Sequence, residues 1–344
     1  MEAANYSEHM LPFVSALIVC RNEEDYIKLS LGSLLNQDYP DDKYEILIID
    51  GISTDQTIVY AEDIIDQYEK EHGSCPRVSF CKNEKMILAS GWNIGIKNAK
   101  GKFVFRIDAH ATVASDYIRQ CIETILKRDA VCVGGKIESK SLQGEEDVIT
   151  KVLSSPFGVG NSSFRVSNIE GYSDTAVYGL YRKSIFTEVG YFDETLVRNQ
   201  DIELHARIKN AGGKFYFNPE IHSVYYTRNT IKKMLKQAYQ NGKWNPIVQK
   251  KNKSALSLRH TVPFLFVMFI GIAFVLGFLH KIFWYLEVFV IVLHLILGVV
   301  FSVKKTKKLS EVIKMPFLFV SLHVSYGVGY LTGLFYKEKR NESV

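Results

Sequence analysis

Short apolar runs alternate with stretches of helical periodicity along the first half of the chain. The clearest runs, 14-VSALIVC-20, 45-EILIID-50 and 102-KFVFRID-108, are rich in β-branched or aromatic residues and predict strands. Further strands are predicted at 77–81, 130–137, 175–182 and 214–219. Helices are predicted at 27–37, 53–68, 86–99, 115–128 and 201–211. This alternation predicts an α/β fold whose sheet is mostly parallel and covered by helices on both faces.

Polar side chains stand where three of these strands end. Arg21, Asn22 and Glu23 follow the first strand, the second ends on Asp50, and the fourth ends on Asp108 with His110 two residues later. The carboxyl ends of parallel strands meet at one edge of a sheet, and ligands bind there. Solvated turns are the alternative, but three polar clusters at one edge favour a ligand site.

Two other segments predict local features. Ser53 and Gln56 are spaced as a capping box for the helix that follows the second strand. Residues 139–174 have weak periodicity and scattered glycines, which predicts a long loop of the kind that often serves as a functional lid.

The pattern changes after residue 261. Residues 262–279 carry no charge, and 282–303 and 315–336 are also strongly apolar. A helix of about 20 apolar residues is needed to cross a bilayer. We therefore expect two or three hydrophobic membrane helices.

Basic residues flank this region. Residues 231–260 hold eight Lys or Arg and no acid, and four lysines lie within 304–308. The positive-inside rule places both segments on the cytoplasmic side if the first two stretches form a hairpin. A third full span would then put 337-KEKR-340 outside, whereas re-entrant or interfacial placement would not. The sequence leaves this open.

Composition excludes several classes of protein. The 344 residues are 47% hydrophobic and 23% charged with a net charge of +5, so a sizeable core is expected and global disorder is not. Five cysteines, an odd number without a CxxC pair, argue against a zinc site or a disulfide framework. Neither GxGxxG nor GxxxxGK[ST] is present, and no nucleic-acid-binding module is recognisable. The acidic N-terminus lacks the layout of a signal peptide, so the soluble part is expected in the cytoplasm.

Several ordered blocks resemble a known family. VSALIVCRNEEDYIKLSLGSLLNQDYP, EILIIDGISTDQT and ASGWNIGIKNAKGKFVFRIDAHA are similar to successive nucleotide-binding blocks of inverting family 2 glycosyltransferases with the GT-A fold. VYGLYRKSIFTEVGYFDETLVRNQDIELHARIKNAGGKFYFNPEI resembles their acceptor-side block, and QAYQNGKW continues the pattern. The resemblance is strongest to membrane-associated exopolysaccharide glucosyltransferases of succinoglycan type.

The resemblance implies a domain plan. Residues 1–230 would form a cytoplasmic GT-A catalytic domain, with a nucleotide half at about 12–138 and an acceptor half at about 139–230. Residues 231–260 would be a basic amphipathic juxtamembrane segment. Residues 261–344 would be the membrane region.

The resemblance also assigns nucleotide and metal residues. Arg21, Asn22 and Glu23 would lie against the nucleoside, Asp50 would contact uracil, and Asp55 would support that turn. Asn93 matches a ribose-side position. Plain helix caps or surface residues are the alternative for Asp50, Asp55 and Asn93.

Asp108 matches the first acid of the family's DxD element, which holds the diphosphate and a divalent cation, Mn²⁺ or Mg²⁺. His110 stands where many members have the second Asp, and neutral imidazole also coordinates Mn²⁺. This departure leaves the preferred metal open.

Asp201 matches the general base of the family. Inversion requires a carboxylate that takes the proton of the attacking acceptor hydroxyl. The alternative is that Asp201 caps the following helix, a role that Asp favours. Glu203 is expected to support the site rather than to act in it.

Acceptor-binding roles are implied for six residues: Asp174, Tyr178, Arg182, Gln240, Lys243 and Trp244. The last three lie in QNGKW, which resembles the QxxRW element of synthases with Lys in place of Arg. Lys lacks the planar fork of Arg, so a bidentate role does not transfer. Trp244 could stack on a sugar or anchor the helix at the membrane.

We therefore expect a membrane-associated inverting transferase that adds a single sugar, from UDP-glucose or a similar UDP-hexose, to a lipid-linked saccharide in polysaccharide biosynthesis. Membrane lipids are expected partners, nucleic acid is not, and the oligomeric state is open. A non-catalytic nucleotide-sugar-binding subunit and a processive polysaccharide synthase are the alternatives.

Overall fold

A computed structural model describes residues 11–142, 147–160, 163–227 and 230–336. The predictions made for the N-terminus at 1–10 and for the basic tail at 337–340 lie outside these ranges. The chain divides into two compact units. The first comprises the described parts of Met1–Glu138, Ser163–Gln200 and Arg207–Tyr226, and the second comprises those of Ser139–Ser162, Asp201–Ala206 and Thr227–Val344.

A mixed sheet forms the framework of the first unit. Its strands, within the described residues, are β1 Val14–Cys20, β2 Tyr44–Asp50, β3 Arg77–Lys82, β4 Phe103–Asp108, β5 Ala111–Val113, β6 Cys132–Lys140, β7 Gly171–Ser173, β8 Leu180–Arg182 and β9 Phe215–Tyr226. The order is β3-β2-β1-β4-β8-β6-β9-β5, with β7 paired to β9. β1 to β4 run parallel, whereas the described pairings of β8 with β4 and β6 and of β9 with β5 and β7 are antiparallel. The sheet is therefore mixed, with its parallel part confined to β1 to β4.

The register of the parallel strands builds the predicted edge. Cys20 at the end of β1 pairs with Asp50, and Val19 pairs with Asp108. All seven residues of β1 are buried, as expected for a central strand with both faces covered. The polar segments that follow β1, β2 and β4 therefore begin side by side.

The helices are α1 Ile27–Leu35, α2 Thr57–His72, α3 Leu88–Asn98, α4 Tyr117–Lys127, α5 Val148–Leu153, α6 Pro156–Val159, α7 Ser163–Val166, α8 Ile185–Val189, α9 Gln200–Asn210, α10 Ile231–Lys251, α11 Val262–Gly277, α12 Ile282–Lys305 and α13 Leu309–Leu334. The apolar faces of α1 and α4 pack on the sheet as their periodicity predicts, burying Leu31, Leu34, Ile118 and Ile122. These contacts fix the strands whose ends carry the polar clusters.

Three local predictions differ from the structure. The capping box of Ser53 and Gln56 is wrong, because α2 begins at Thr57 and its N-cap, Gln56, makes no side-chain capping bond. Ser53 instead bonds Asp50. The strand predicted at 175–182 is confined to Leu180–Arg182. The predicted loop at 139–174 includes three short helices and β7, because Asp147 and Ser155 cap α5 and α6.

The second unit is helical after residue 230. α12 and α13 are long and apolar enough to cross a membrane by length and composition, and α11, with 16 residues, is shorter. The most apolar window of α12 is 17% buried by protein, whereas that of α13 is 39% buried. A much larger part of α13 than of α12 is therefore covered by protein.

Candidate active site

The loops after β1 and β2 are joined by hydrogen bonds around Asp50. The Ser53 hydroxyl donates to Asp50 Oδ1 at 2.5 Å and accepts from the Asn22 amide at 2.9 Å. The Asn22 side-chain oxygen in turn accepts from the Thr54 amide at 2.8 Å. Asp50 is thus held by its own turn, and Asn22 holds that turn in place. Arg21 is exposed beside Gly51.

Asp55 and Thr57 make a second connection between the same loops. The Thr57 hydroxyl donates to Asp55 Oδ1 at 2.5 Å and accepts from the Glu23 amide at 2.8 Å. Partial burial acts to raise the pKa of Asp55, but hydrogen bonds from Thr57 and from the Glu24 amide outweigh it and lower that pKa below its usual range. Asp55 is therefore a charged support for the turn.

Tyr178 meets Asp108 at the end of β4. The phenol donates to Asp108 Oδ2 at 3.3 Å, and the Tyr178 carbonyl accepts from the Tyr117 hydroxyl at 2.8 Å. Tyr178 is 3% exposed, and burial together with the Asp108 charge raises its pKa well above the usual value. The phenol is therefore neutral and is a permanent donor to the carboxylate.

His110 is oriented by groups from two segments, the loop after β1 and the end of β9. Its Nδ1 lies 3.3 Å from Glu23 Oε1, and its ring packs edge-on against Tyr26 and Tyr225 at centroid distances of 6.1 and 5.3 Å. The His110 carbonyl accepts from the Tyr226 amide at 3.0 Å. A carboxylate beside Nδ1 favours the tautomer that carries its proton there and its lone pair on Nε2. No pattern in the sequence predicted that Glu23 and His110 would meet.

The donor chemistry of this edge fits a divalent cation. Asp108 and His110 supply carboxylate oxygen and imidazole nitrogen, both of which Mn²⁺ accepts, and Glu23 is placed as the outer partner that ligating histidines commonly have. Among the described residues there is no cluster of three or more His, Cys, Asp or Glu that would enclose a metal. Two protein donors fill only part of the coordination shell of such a cation, which leaves positions for oxygen atoms of a ligand.

Asn93 is tied to the segment before α9. Its Nδ2 donates to the Phe192 carbonyl and to Glu194 Oε1, each at 2.9 Å, and its Oδ1 accepts from the Phe192 amide at 2.9 Å. Glu194 also accepts from Lys85 at 2.5 Å, and this bond, with that from Asn93, lowers the pKa of Glu194. The side-chain amide of Asn93 thus bonds to Phe192 and Glu194 within the protein. Its ribose contact stays a prediction.

Two acceptor candidates of the first unit make separate contacts with the fold. The Arg182 guanidinium donates to the carbonyls of Ala130 and Ile125 at 3.0 and 2.8 Å. Asp174 is exposed and lies 4.0 Å from Lys209. Neither is joined to Tyr178 by a described hydrogen bond, so their acceptor roles stay predictions.

Asp201 lies in the first turn of α9. The N-cap of this helix is Asn199, at a φ of 58°, so the alternative that Asp201 is the cap is wrong. Asp201 Oδ1 accepts from the adjacent Ile202 amide at 2.9 Å. Glu203 is 6% exposed, consistent with a supporting position. Catalysis by Asp201 stays a prediction.

QNGKW lies in the middle of α10. Trp244 is 8% exposed and packs on Tyr336, with ring centroids 5.8 Å apart, and Lys243 Nζ lies 5.2 Å from the centre of the same ring. Gln240 is half-buried. Trp244 therefore acts in packing, and its sugar contact stays a prediction.

Strained backbone marks the loops of the first unit. The non-glycine residues with positive φ in the described chain are Asn22, Ile52, Met86, Tyr178 and Asn199. The first three follow β1, β2 and β3, Tyr178 touches Asp108, and Asn199 precedes Asp201. Such residues cost about 1–3 kcal/mol each and cluster at functional sites.

Comparison with known proteins identifies the family. The sequence profile described as Glycosyl transferase family 2 matches residues 15–190, which contain the β1, β2 and β4 ends. The chain belongs to glycosyltransferase family 2.

Two relatives extend this similarity. A dolichyl N-acetyl-α-D-glucosaminyl phosphate 3-β-D-2,3-diacetamido-2,3-dideoxy-β-D-glucuronosyltransferase of Methanococcus voltae is 32% identical over 94% of this chain and 97% of its own length. The succinoglycan biosynthesis protein ExoA of Rhizobium meliloti is 27% identical over 75% of this chain and 77% of its own. The predicted resemblance to succinoglycan-type members of glycosyltransferase family 2 is confirmed.

One solved structure bears on the fold. The mannosyltransferase PcManGT of Pyrobaculum calidifontis, in complex with GDP-Man and Mn²⁺, aligns with a TM-score of 0.50 at 12% identity, covering 95% of this chain and 74% of that chain. At this identity the likeness concerns the fold alone. With the family match, it confirms the predicted GT-A fold followed by apolar helices.

Proposed function

We propose that this glycosyltransferase moves a single sugar from a UDP-hexose, UDP-glucose or a similar donor, to a lipid-linked saccharide with inversion at the anomeric carbon. The observation that carries the proposal is the polar edge of the sheet, where Asp50, Asp108 and the Glu23–His110 pair follow adjacent parallel strands. Family membership supplies the reaction class.

Asp50 is the proposed partner of the uracil base of the donor. Its carboxylate is anchored by Ser53, and a fixed carboxylate suits an N–H donor such as uracil N3–H. Arg21, Asn22 and Glu23 line the proposed nucleoside side, and Asn93 is proposed on the ribose side. UDP should therefore bind more tightly than CDP, which has no N–H at that position.

Asp108 and His110 are the proposed holders of Mn²⁺ or Mg²⁺. A bound divalent cation would neutralise the negative charge that develops on the departing diphosphate. Tyr178 and Glu23 orient the two side chains through the contacts at 3.3 Å that each makes. Their task is to keep both donor atoms in one geometry before the ligand arrives.

Asp201 is the proposed general base. Single displacement needs one carboxylate near the acceptor hydroxyl, and positioned bases contribute about 10²- to 10⁴-fold to rate. Asp201→Asn should lower transfer by at least about 100-fold while UDP binding is unchanged. Asp129→Asn, an exposed carboxylate paired with Lys214, is the matched control and should keep full activity. Unchanged turnover in Asp201→Asn would remove this assignment.

The acceptor class follows from the Methanococcus voltae relative, whose name specifies a dolichyl-phosphate-linked amino sugar. We propose a polyprenyl-linked saccharide as acceptor, in contact with Asp174, Tyr178, Arg182, Gln240, Lys243 or Trp244. The relative transfers a diacetamido-glucuronosyl group, so a UDP-hexuronate derivative is the second donor to test after UDP-glucose. Product analysis by NMR should show one added sugar of inverted anomeric configuration; a retained configuration or a long polymer would contradict the proposal.

Membrane attachment is part of the proposal. The apolar helices after residue 261, preceded by a basic segment, suit attachment to a bilayer with anionic lipids, with the catalytic domain on the cytoplasmic side. The full chain should stay in the membrane fraction after a high-salt wash. Release by salt alone would contradict insertion.

A further inference from the structure

α10 and α13 touch along their backbones. A Cβ on Gly329 would collide with the Tyr239 carbonyl, one on Gly333 with the Lys243 carbonyl, and one on Gly242 with the Tyr326 carbonyl. Glycines on both helices thus allow an approach that no other residue permits. The two helices pack as one element of the second unit.

This partner of α13 is strongly basic. Lysines occur from the first to the last turn of α10. Five of them are exposed, Lys232, Lys233, Lys236, Lys250 and Lys251, whereas Lys243 is half-buried. Apolar residues of α10 such as Met234 and Ala238 face Leu318, Phe319 and Leu322 of α13 instead. α10 therefore presents an apolar side to α13 and a charged side to its surroundings.

Lysines also hold both ends of α13. At its start, Lys151 of α5 pairs with Glu311 at 2.7 Å, with side chains 10% and 14% exposed. At its end, Lys250 Nζ donates to the Leu334 carbonyl at 2.9 Å. With 26 residues, α13 is about 39 Å long, longer than the hydrocarbon core of about 30 Å. A spanning α13 would place these two lysines on opposite sides of the bilayer.

α13 meets the other two apolar helices in the open half of the hairpin that they form. Gly327 abuts Pro263 at the start of α11, and Phe264 stacks on Tyr330 at 4.7 Å. In the second half of α12, Gly298 abuts Pro316, and at the middle of α12 His294 Nε2 lies 2.9 Å from His323 Nδ1. These contacts lie in the half of the hairpin that is nearer its open end, away from the turn at 278–281.

We infer that α13 does not cross the membrane: the α10–α13 pair lies in the membrane interface, with its lysines toward anionic lipid headgroups, and only the α11–α12 hairpin enters the bilayer. A crossing α13 would carry its partner α10, and with it exposed lysines, through the hydrocarbon, where charged side chains are expelled. An interfacial helix pair with a basic face has no such conflict. The inference rests on the proposed membrane attachment.

The end of α13 should lie on the side of the membrane from which the α11–α12 hairpin enters. The hairpin returns the chain to the side from which it entered, and a non-crossing α13 keeps it there. Phe335 should then lie on the same side as Lys253, which precedes α11. This placement removes the conflict between the basic segments and a third span.

Sidedness can be measured on the full chain in cells. Phe335→Cys and Lys253→Cys alter residues that are exposed, and the first is 77% exposed. Each variant is treated with a membrane-impermeant maleimide on intact cells, and separately on inverted vesicles. Peptide mass spectrometry then reads each site apart from the five native cysteines.

Both variants should be labelled from the same side of the membrane. Labelling at each site should be at least tenfold greater in inverted vesicles than in intact cells. Labelling of the two from opposite sides would overturn the inference while leaving membrane attachment intact. Absence of the protein from the washed membrane fraction would remove both the attachment and the inference. Unchanged transferase activity in each variant checks that the chain is folded.

Discussion

The loops at the polar edge of the first unit and the helix contacts of the second unit differ in their backbone. In the first unit, non-glycine residues such as Ile52 and Tyr178 adopt left-handed backbone conformations in the loops around the polar edge of the sheet. In the second unit, glycines such as Gly329 and Gly333 let helices meet backbone to backbone. The first arrangement accepts strain to place side chains for chemistry, and the second removes side chains to join helices. Substitutions should therefore act in opposite ways in the two regions.

The largest effect on stability is expected at the helix contact. Gly329→Ala adds a Cβ that collides with the Tyr239 carbonyl and should destabilise the second unit by about 2–3 kcal/mol. Gly271→Ala in α11 is the matched control, because no atom lies within 4 Å of its added Cβ. That change should be neutral or stabilising by up to about 1 kcal/mol, from helix propensity. Thermal unfolding in detergent compares the two, and equal melting temperatures would contradict the tight contact.

Ile52 provides the reverse test in the first unit. Ile52→Gly relieves a left-handed conformation in a β-branched residue and should raise the free energy of unfolding by about 1 kcal/mol. Val59→Gly, in the exposed face of α2, should instead lower it by up to about 1 kcal/mol. If the Ile52 variant is more stable but binds UDP more weakly, the strain serves the site. A loss of stability at Ile52 would contradict the assigned strain.

The Tyr178 hydroxyl should have a moderate effect on ligand binding. Tyr178→Phe removes the donor to Asp108 and should weaken cation-dependent UDP binding by about fivefold, equivalent to about 1 kcal/mol. Tyr172→Phe changes a residue that is 61% exposed and should leave binding unchanged. Isothermal titration with Mn²⁺ present measures both, and equal affinities would remove Tyr178 from the site.

The smallest effect is expected at Glu194. Its folded-state pKa is lowered by Lys85 and Asn93, so its stabilisation is complete above the unfolded pKa of about 4.3 and is lost as pH falls through the folded value. Glu194→Gln should cost less than about 1 kcal/mol at pH 7, since Lys85 is exposed, and nothing once Glu194 is protonated in acid. Denaturant unfolding across pH measures the difference; a gap that persists in acid would contradict the sign. Glu62→Gln, on the exposed face of α2, is the control.

Much of the first unit could be predicted because strands and helices are local patterns. Apolar runs located β1, β2 and β4, and their ends located Asp50, Asp108 and His110. The sequence does not encode which distant loops meet, so the Glu23–His110 contact and the Ser53–Asn22 bond were missed. Ser53 satisfies a capping pattern yet bonds Asp50, because a tertiary partner displaced the local one.

The second unit was harder to predict for a physical reason. Hydropathy counts apolar residues but does not show which face of a helix is covered by protein. α12 and α13 both pass as spans, although only α13 has a basic helix packed along it. The glycines at 327, 329 and 333 were visible in the sequence, but their partners on α10 and α11 were not.

We propose above all that the polar edge of the sheet binds a nucleoside diphosphate through a divalent cation. The most direct test of this proposal is thermal stabilisation of the purified protein by UDP with Mn²⁺, with Mg²⁺ or with EDTA. UDP at 100 times its dissociation constant should add about 2.7 kcal/mol when the cation is present, and little in EDTA or in Asp108→Ala. Asp63→Ala, on the exposed face of α2, should respond like the unchanged protein. No stabilisation of folded protein by UDP, or stabilisation independent of both cation and Asp108, would contradict the account.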